Sequence, residues 1–174
     1  MAKITIEFVK GNLGKVIEGV KRASRNRAPL YRNWGEHAIN STVQNFRSQG
    51  RPAWKPLAKS TVLSRLGGVG KTFTKKGKLR KRAARKMGGL KPLIKSGDLM
   101  RSINYRVRQN GIEYGSNLKY AAIHQFGGKA GVWAAQRSKR AMATIIPARP
   151  YLVVHDFDAA YYASSLEQHI LGSR

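Results

Sequence analysis

The stretch "INYRVRQNGIEYGS", Ile103 to Ser116, decides the fold class. Ile103, Tyr105 and Val107 alternate with Asn104, Arg106 and Arg108, and Ile112 and Tyr114 flank Glu113. Alternation with a period of two predicts half-buried strands. Between the two runs stands Asn110-Gly111, which suits a type I′ turn because both of its central residues need φ > 0. A two-residue hairpin over 103–116 is therefore expected.

Outward from the hairpin, one further strand and several helices are predicted. Lys3 to Val9 alternate with Ile4, Ile6 and Phe8 on one face. From Asn12, the residues Leu13, Val16, Ile17 and Val20 recur at helical spacing until "KRASRNR" interrupts them. Pro29 suits the first turn of a second helix, where its missing N–H would have no partner. That helix carries Leu30, Trp34, Ala38, Ile39, Val43 and Phe46, and ends near Gly50. "RPAWKPL" reads as an extended connector, and Lys59 to Leu66 as a short helix. After a basic stretch, "SGDLMRSI" reads as a capped helical turn. "NLKYAAIHQFGG" is a short amphipathic helix ended by glycine, and "ATIIPARPYL" is extended and pinned by Pro147 and Pro150. Asp156 and Asp158 open a last helix with Phe157, Tyr161, Leu166 and Ile170 facing inward. Together these define one α+β domain over 1–174: a small antiparallel or mixed sheet, made of strand 3–9 and the hairpin, packed against helices.

Composition narrows the function. Lys and Arg number 34 against 8 Asp and Glu in 174 residues, a net charge of +26. Such a charge opposes self-association and attracts polyanions, whether nucleic acid, an anionic membrane or acidic protein. There is no Cys, so disulfides, thiolate nucleophiles and Cys-ligated zinc are excluded. No apolar run reaches membrane-spanning length, and "MAKITIEFVKG" does not read as a signal peptide. A cytosolic protein is expected.

The cations concentrate in a basic insertion at about 67–91. Lys71, Lys75, Lys76, Lys78, Arg80, Lys81, Arg82, Arg85 and Lys86 follow one another with no acidic residue among them. So few apolar residues predict a disordered or loosely helical loop. Its partner would be DNA, met through phosphates, or an acidic protein surface. Phe73 is the sole aromatic in it, too little for stacking on single strands.

The insertion opens on "GGVGKT", Gly67 to Thr72, which invites comparison with a phosphate-binding loop. The pattern G-x-x-x-x-G-K-[ST] places Arg65 where its first glycine belongs. It also needs a preceding buried strand, where "STVLSR" reads as helix. Nor does any acidic residue stand where magnesium would be held. The glycines read instead as a flexible entry to a cationic arm. His37, His124, His155 and His169 are too scattered for zinc, so no metal or other cofactor is expected. In "HDFD" the two Asp residues read as helix caps that complement the dipole. The remaining carboxylates fall in unrelated elements, and no catalytic residue is assigned.

Four blocks occur in a particular order: "AWKPLAKST", "LIKSGDLMRSI", "IEYGSNLKYAAIHQFGG" and "TIIPARPYL". They run from about Trp54 to Leu152, interrupted by the basic insertion. In this order they resemble the phage virion morphogenesis and tail-completion family of long-tailed phages. The matching positions are Trp54, Leu57, Ser96, Gly97, Leu99, Tyr120, His124, Gln125, Phe126, Gly127, Pro147, Ala148, Arg149 and Pro150. The resemblance implies a non-enzymatic structural protein of the virion, assembled in the host cytoplasm. It would sit at the head–tail junction, complete the tail tube and dock it to the capsid connector. Partners would be tail tube or tail terminator subunits, head connector proteins and further copies of the chain, with no membrane. Stacked tail rings imply a closed ring of subunits, six-fold here. The stiff segment around Pro147 and Pro150 suits a fixed contact, either with the chain's own core, the reading favoured for Ile145 and Leu152, or with a neighbouring subunit, and Gly127 and Gly128 are expected in a tight turn. The alternative function is non-specific nucleic-acid binding through the basic insertion, which the family pattern leaves unmatched.

Overall fold

A computed structural model of the chain describes residues 17–21, 25–129 and 145–171. The predicted strand 3–9 lies outside the described residues, as do Leu13 and Val16. Residues 17–21 are helical, with Ile17 and Val20 exposed.

The described chain runs α1 (Ala28–Ser48), α2 (Lys59–Leu66), α3 (Val69–Thr72), α4 (Lys81–Met87) and α5 (Asp98–Arg101). Then come β1 (Ile103–Arg108), β2 (Gly111–Ser116), α6 (Ala121–Phe126), β3 (Gly128–Lys129), β4 (Ile145–Ile146) and α7 (Asp156–Leu171). The fold is α+β. Its strands form two two-stranded sheets, β1-β2 and β3-β4. In the second, antiparallel sheet, Gly128 pairs with Ile146 and Lys129 with Ile145. Gly128 is thus part of a strand, and only Gly127 makes the turn before it.

The hairpin forms over the predicted residues, but one position early. Its connecting residues are Gln109 and Asn110, with Gly111 already in β2 at φ 153°. Asn110 does not take a positive φ, so the expected type I′ turn at Asn110-Gly111 is absent. A connection of two residues still requires antiparallel strands.

Helix α1 follows its predicted span and ends as a Schellman motif. Gln49 is left-handed (φ 63°), its N–H bonds to Phe46 O at 3.2 Å, and Gly50 N–H bonds to Asn45 O at 2.9 Å. Helix α2 occupies the predicted residues and ends the same way. Gly67 N–H reaches Ser64 O at 3.1 Å and Gly68 N–H reaches Leu63 O at 2.8 Å. Gly67 (φ 92°) is left-handed, a conformation that glycine adopts without a Cβ penalty.

The chain groups into two compact units. One comprises the described parts of Met1–Ala38, Tyr105–Tyr114 and Val154–Arg174; the other comprises Ile39–Asn104 and the described parts of Gly115–Val153. In the first unit, α7 lies against the first half of α1. Trp34 Nε1 donates to Ser165 Oγ at 2.7 Å, and Tyr161 OH to Asn33 Oδ1 at 2.8 Å. His37 Nε2 and Asp158 Oδ1 are 2.8 Å apart, while His37 stacks on Tyr161 at 3.9 Å. Asp158 Oδ2 also accepts from His155 N–H at 2.9 Å, half of a capping box, as the cap reading expects. The inward stripe of α7 matches the predicted one only in part. Phe157 and Leu166 are exposed and Tyr161 lies at the edge over His37, whereas Ile170 faces inward as expected, together with Asp158, Tyr162, Ser165 and His169. Hydrogen bonds to α1 side chains outweigh the apolar period in setting the helix's rotation. Burial, then the Asp158 charge, pushes the Tyr162 phenol up to about 12.

The core of the second unit joins Phe46, Trp54, Leu99, Ile103, Ala121 and Tyr151, with Leu152, Leu93, Ile94 and Leu118 packed around them. Phe46 meets Trp54 edge-on at 5.6 Å and Tyr151 at 5.3 Å. These aromatic residues come from three segments of this unit, so their mutual burial closes the unit around one core.

The basic insertion is folded. Beyond α3, Phe73 and Leu79 form an antiparallel bridge, Thr74 N–H bonds to Lys78 O at 2.8 Å, and α4 follows. The expected disorder considered charge and apolar content alone, whereas local backbone hydrogen bonds order this segment. Arg80 N–H bonds to Thr72 O at 2.9 Å and its Nε donates to Phe73 O at 3.0 Å. Thr72, Leu66 and Ala83 are buried at the centre of the lobe. Gly67 and Gly68 are accordingly a helix ending, and Gly70 lies inside α3. They are no flexible entry. The segment ahead of "GGVGKT" is helix α2, where a phosphate-binding loop needs a strand.

Candidate interaction surfaces

Pro147 to Leu152 runs as an extended strap past α6 and the connector after α1. Among the described residues no strand pairs with it over Arg149–Leu152, so its peptide groups take side-chain partners. The sequence supplies them. Gln125, on α6, accepts from Tyr151 N–H at 2.9 Å and Leu152 N–H at 3.0 Å through Oε1, and its Nε2 donates to Leu152 O at 3.0 Å. From α1, Asn45 Nδ2 donates to Pro150 O at 3.3 Å and Tyr151 O at 3.1 Å. Trp54 Nε1 donates to Pro150 O at 2.8 Å. Tyr151, 1% exposed, sends its hydroxyl back to Ala121 O at 3.2 Å. Burial raises the Tyr151 phenol pKa, keeping that hydroxyl a donor.

Arg149 holds the strap from its other side. Only 5% exposed, it donates through Nε to Lys55 O at 2.8 Å and through Nη2 to Pro56 O at 2.9 Å. Its own N–H bonds to His124 O at 2.8 Å. Burial, reinforced by the Arg65 charge, lowers its pKa, yet carbonyl dipoles satisfy the guanidinium. His124 is likewise lowered, by burial first and Arg149 second. Gly127 (φ 73°) lets α6 turn against the strap: a Cβ there would lie 2.6 Å from Ala148 N.

The matched positions thus divide by role. Trp54, His124, Gln125, Gly127, Arg149 and Pro150 converge on the strap, and Pro147 and Ala148 belong to it. Leu99 fills the core and Leu57 is half-buried in the connector. Ser96 and Gly97 start α5, where Ser96 Oγ bonds to the Asp98 carboxylate and Arg101 Nη2 to its Oδ1 at 2.6 Å. The Ser96 hydrogen bond, then that of Arg101, holds the Asp98 carboxyl below its ordinary value. Tyr120 and Phe126 instead face solvent, Phe126 at 78% exposure. Ile145, expected in the core, is 72% exposed on its short strand, whereas Leu152 does pack on the core. Asn45 was not foreseen. Its signal was its place beside Phe46 on the inward stripe of a helix, where a polar residue needs a reason.

A second surface lies on the basic lobe. Lys71, Arg80, Arg82 and Lys86 line one cleft with Arg65, Leu66, Gly67, Gly70 and Ala83. Lys75, Lys76 and Lys78 stand on the turn beside it, and Lys81 and Arg85 on the rest of α4; none of these five lines the cleft. Arg65 comes from α2, ahead of the insertion, and its Nη1 donates to Lys91 O at 2.8 Å. Among the described residues none of the lining cations forms a salt bridge. Among the described residues no group of three His, Asp or Glu side chains could hold a metal ion, and no helix is long and apolar enough to cross a membrane.

The phage virion morphogenesis family matches residues 9–170, nearly the whole chain. The chain belongs to that family. It is also 32% identical over 153 residues to the Mu-like prophage FluMu G protein 2 of Haemophilus influenzae, covering 88% of this chain and 85% of that protein. No solved structure matches it. Membership gives the chain a structural role in building a phage virion and makes it virion-associated. Within the family's span, the strap and its side-chain latch account for why "YAAIHQFGG" and "IPARPYL" occur together: each satisfies the other's backbone.

Proposed function

We propose that the protein acts at the head–tail junction, completing the tail tube and docking it to the capsid connector as a six-fold ring. The match to the phage virion morphogenesis family over residues 9–170 carries this reading. Two surface features support it. The strap is fixed by buried side chains, so the chain presents a rigid edge rather than an adaptable one, which favours repeated identical contacts. Beside the latch, Phe126 and Ile145 expose large apolar side chains, the kind of residue a subunit contact buries. A closed ring needs a heterologous contact repeated around its axis. Tail tube or terminator subunits would meet one side of the ring and head connector proteins the other. The basic lobe would reach a polyanion at the channel. No enzymatic step is assigned to any residue.

Electron micrographs of phage lacking the protein test this reading. Filled heads and unjoined tails that lack this completing ring are expected, with joining restored by added protein. Joined, infectious particles would overturn it. The net charge of +26 favours a second reading, non-specific nucleic-acid binding outside the virion. It predicts normal joining in the same micrographs.

A further inference from the structure

We infer that the cleft of the basic lobe is a sequence-independent clasp for the phosphates of double-stranded DNA. This deepens the proposed function and rests on it only for where the DNA is met. Five cations, Arg65, Lys71, Arg80, Arg82 and Lys86, surround one concavity. They come from three helices and the extended residue that precedes the last of them, so the fold gathers charges that the sequence spreads over 22 positions (65 to 86). No acidic residue occurs between Glu36 and Asp98, and nothing in the lobe neutralises them.

The clasp is preorganised. Arg65 and Arg80 are tied to the carbonyls of Lys91 and Phe73, and Thr72 is buried with its hydroxyl bonded to Gly68 O at 2.8 Å. Mutually repelling cations held this way gain free energy when an anion arrives, with little ordering cost. Arginine forks suit phosphate oxygens in particular.

Three observations select duplex DNA over other anions. An acidic protein would need an apolar interface core, where charged residues are depleted. The cleft offers only Leu66, which is buried, and Ala83, also buried. Single strands require exposed aromatic platforms, and Phe73 is half-buried in its bridge. A lone nucleotide would be served by the cleft alone. Here exposed cations continue past it, at Lys75, Lys76 and Lys78 on one element and Lys81 and Arg85 on another. A polymer of phosphates seats in the cleft and runs on past these outer cations, which attract it at longer range and pair with it less closely.

The test is fluorescence anisotropy of a labelled duplex with the purified full-length protein, from about 50 to 200 mM KCl. The triple variant Lys71→Gln, Arg82→Gln, Lys86→Gln removes cleft charges that make no hydrogen bond within the lobe. Its control, Lys75→Gln, Lys76→Gln, Lys78→Gln, removes the same charge outside the cleft. Circular dichroism checks that both remain folded. Each cleft cation pairs with a phosphate, so the cleft triple should reduce the salt slope by about 3 and the affinity by roughly tenfold or more, with a much smaller effect in the control. Equal losses of affinity in both triples would overturn the clasp in favour of diffuse attraction. Unchanged affinity in both, or polyglutamate competing as well as duplex at equal charge, would overturn it too. Head–tail joining is read separately in micrographs, so failure of the clasp and failure of the junction role are distinguishable.

Discussion

Replacing Asn45 by aspartate changes almost no volume and tests the latch directly. The Asn45 side chain is 1% exposed, and its Nδ2 points at the carbonyl oxygens of Pro150 (3.3 Å) and Tyr151 (3.1 Å). In Asn45→Asp an acceptor faces two acceptors. Two net hydrogen bonds of about 0.5–1.5 kcal/mol each disappear, and a buried, unpaired charge adds its desolvation penalty. We expect a loss of about 4 kcal/mol at neutral pH, a large share of the roughly 5–15 kcal/mol that holds a typical domain together. Asn45→Ala should cost less, about 2–3 kcal/mol, because only Tyr151 O loses its partner while Trp54 still serves Pro150 O. In urea, with a slope of about 2 kcal/mol/M, the aspartate variant should unfold about 2 M earlier than wild type. Burial raises a carboxyl pKa, and the protonated form donates one hydrogen bond. The folded variant therefore binds its proton more tightly than the unfolded one, so its deficit shrinks as pH falls. The alanine variant gains no such recovery. Equal midpoints for wild type and Asn45→Asp would refute the latch. A pH-independent aspartate deficit would refute the burial of this side chain against carbonyl oxygens.

Two further outcomes follow from the same region. Gly127→Ala places a Cβ 2.6 Å from Ala148 N and 3.0 Å from Ile146 O at φ 73°; calorimetry should show a loss of about 1–3 kcal/mol, lowering the melting point by several degrees. His124 has a folded pKa below its ordinary 6.5, so the unfolded chain takes up the proton first and stability falls as pH drops below about 6.5. His124→Gln should flatten that acid limb in urea titrations while leaving the limb above neutral pH unchanged.

Much of the fold was legible from the sequence because it was written locally. Pro29 and the i, i+4 apolar stripe located α1, and Leu63–Gly68 carried both the end of α2 and its cap. The hairpin's alternation located β1 and β2, though not their turn, because strand pairing rather than Asn-Gly preference set which residues connect them. Polarity misled part of the reading of α7: beside the expected Ile170, its inward face carries buried Asp158 and half-buried Tyr162, Ser165 and His169, whose value lies in partners far along the chain. Of the candidate surfaces, the matched blocks named Gln125 and Arg149 but not what they hold. The basic run named four of the five cleft cations, while Arg65 lay on a helix outside it.

The linear order of residues was enough for most elements, the unbalanced charge and, through four ordered blocks, the family. Periodicity, caps and composition act over a few residues and need no knowledge of what lies opposite. Three-dimensional packing was needed to make Pro147–Leu152 a strap rather than a sheet strand, since its hydrogen-bond partners stand up to 106 positions away on α1. Packing also turned the basic segment into a lobe with a cleft. A charge run read along the chain predicts repulsion, whereas backbone hydrogen bonds and a buried Thr72 hold those charges around one point.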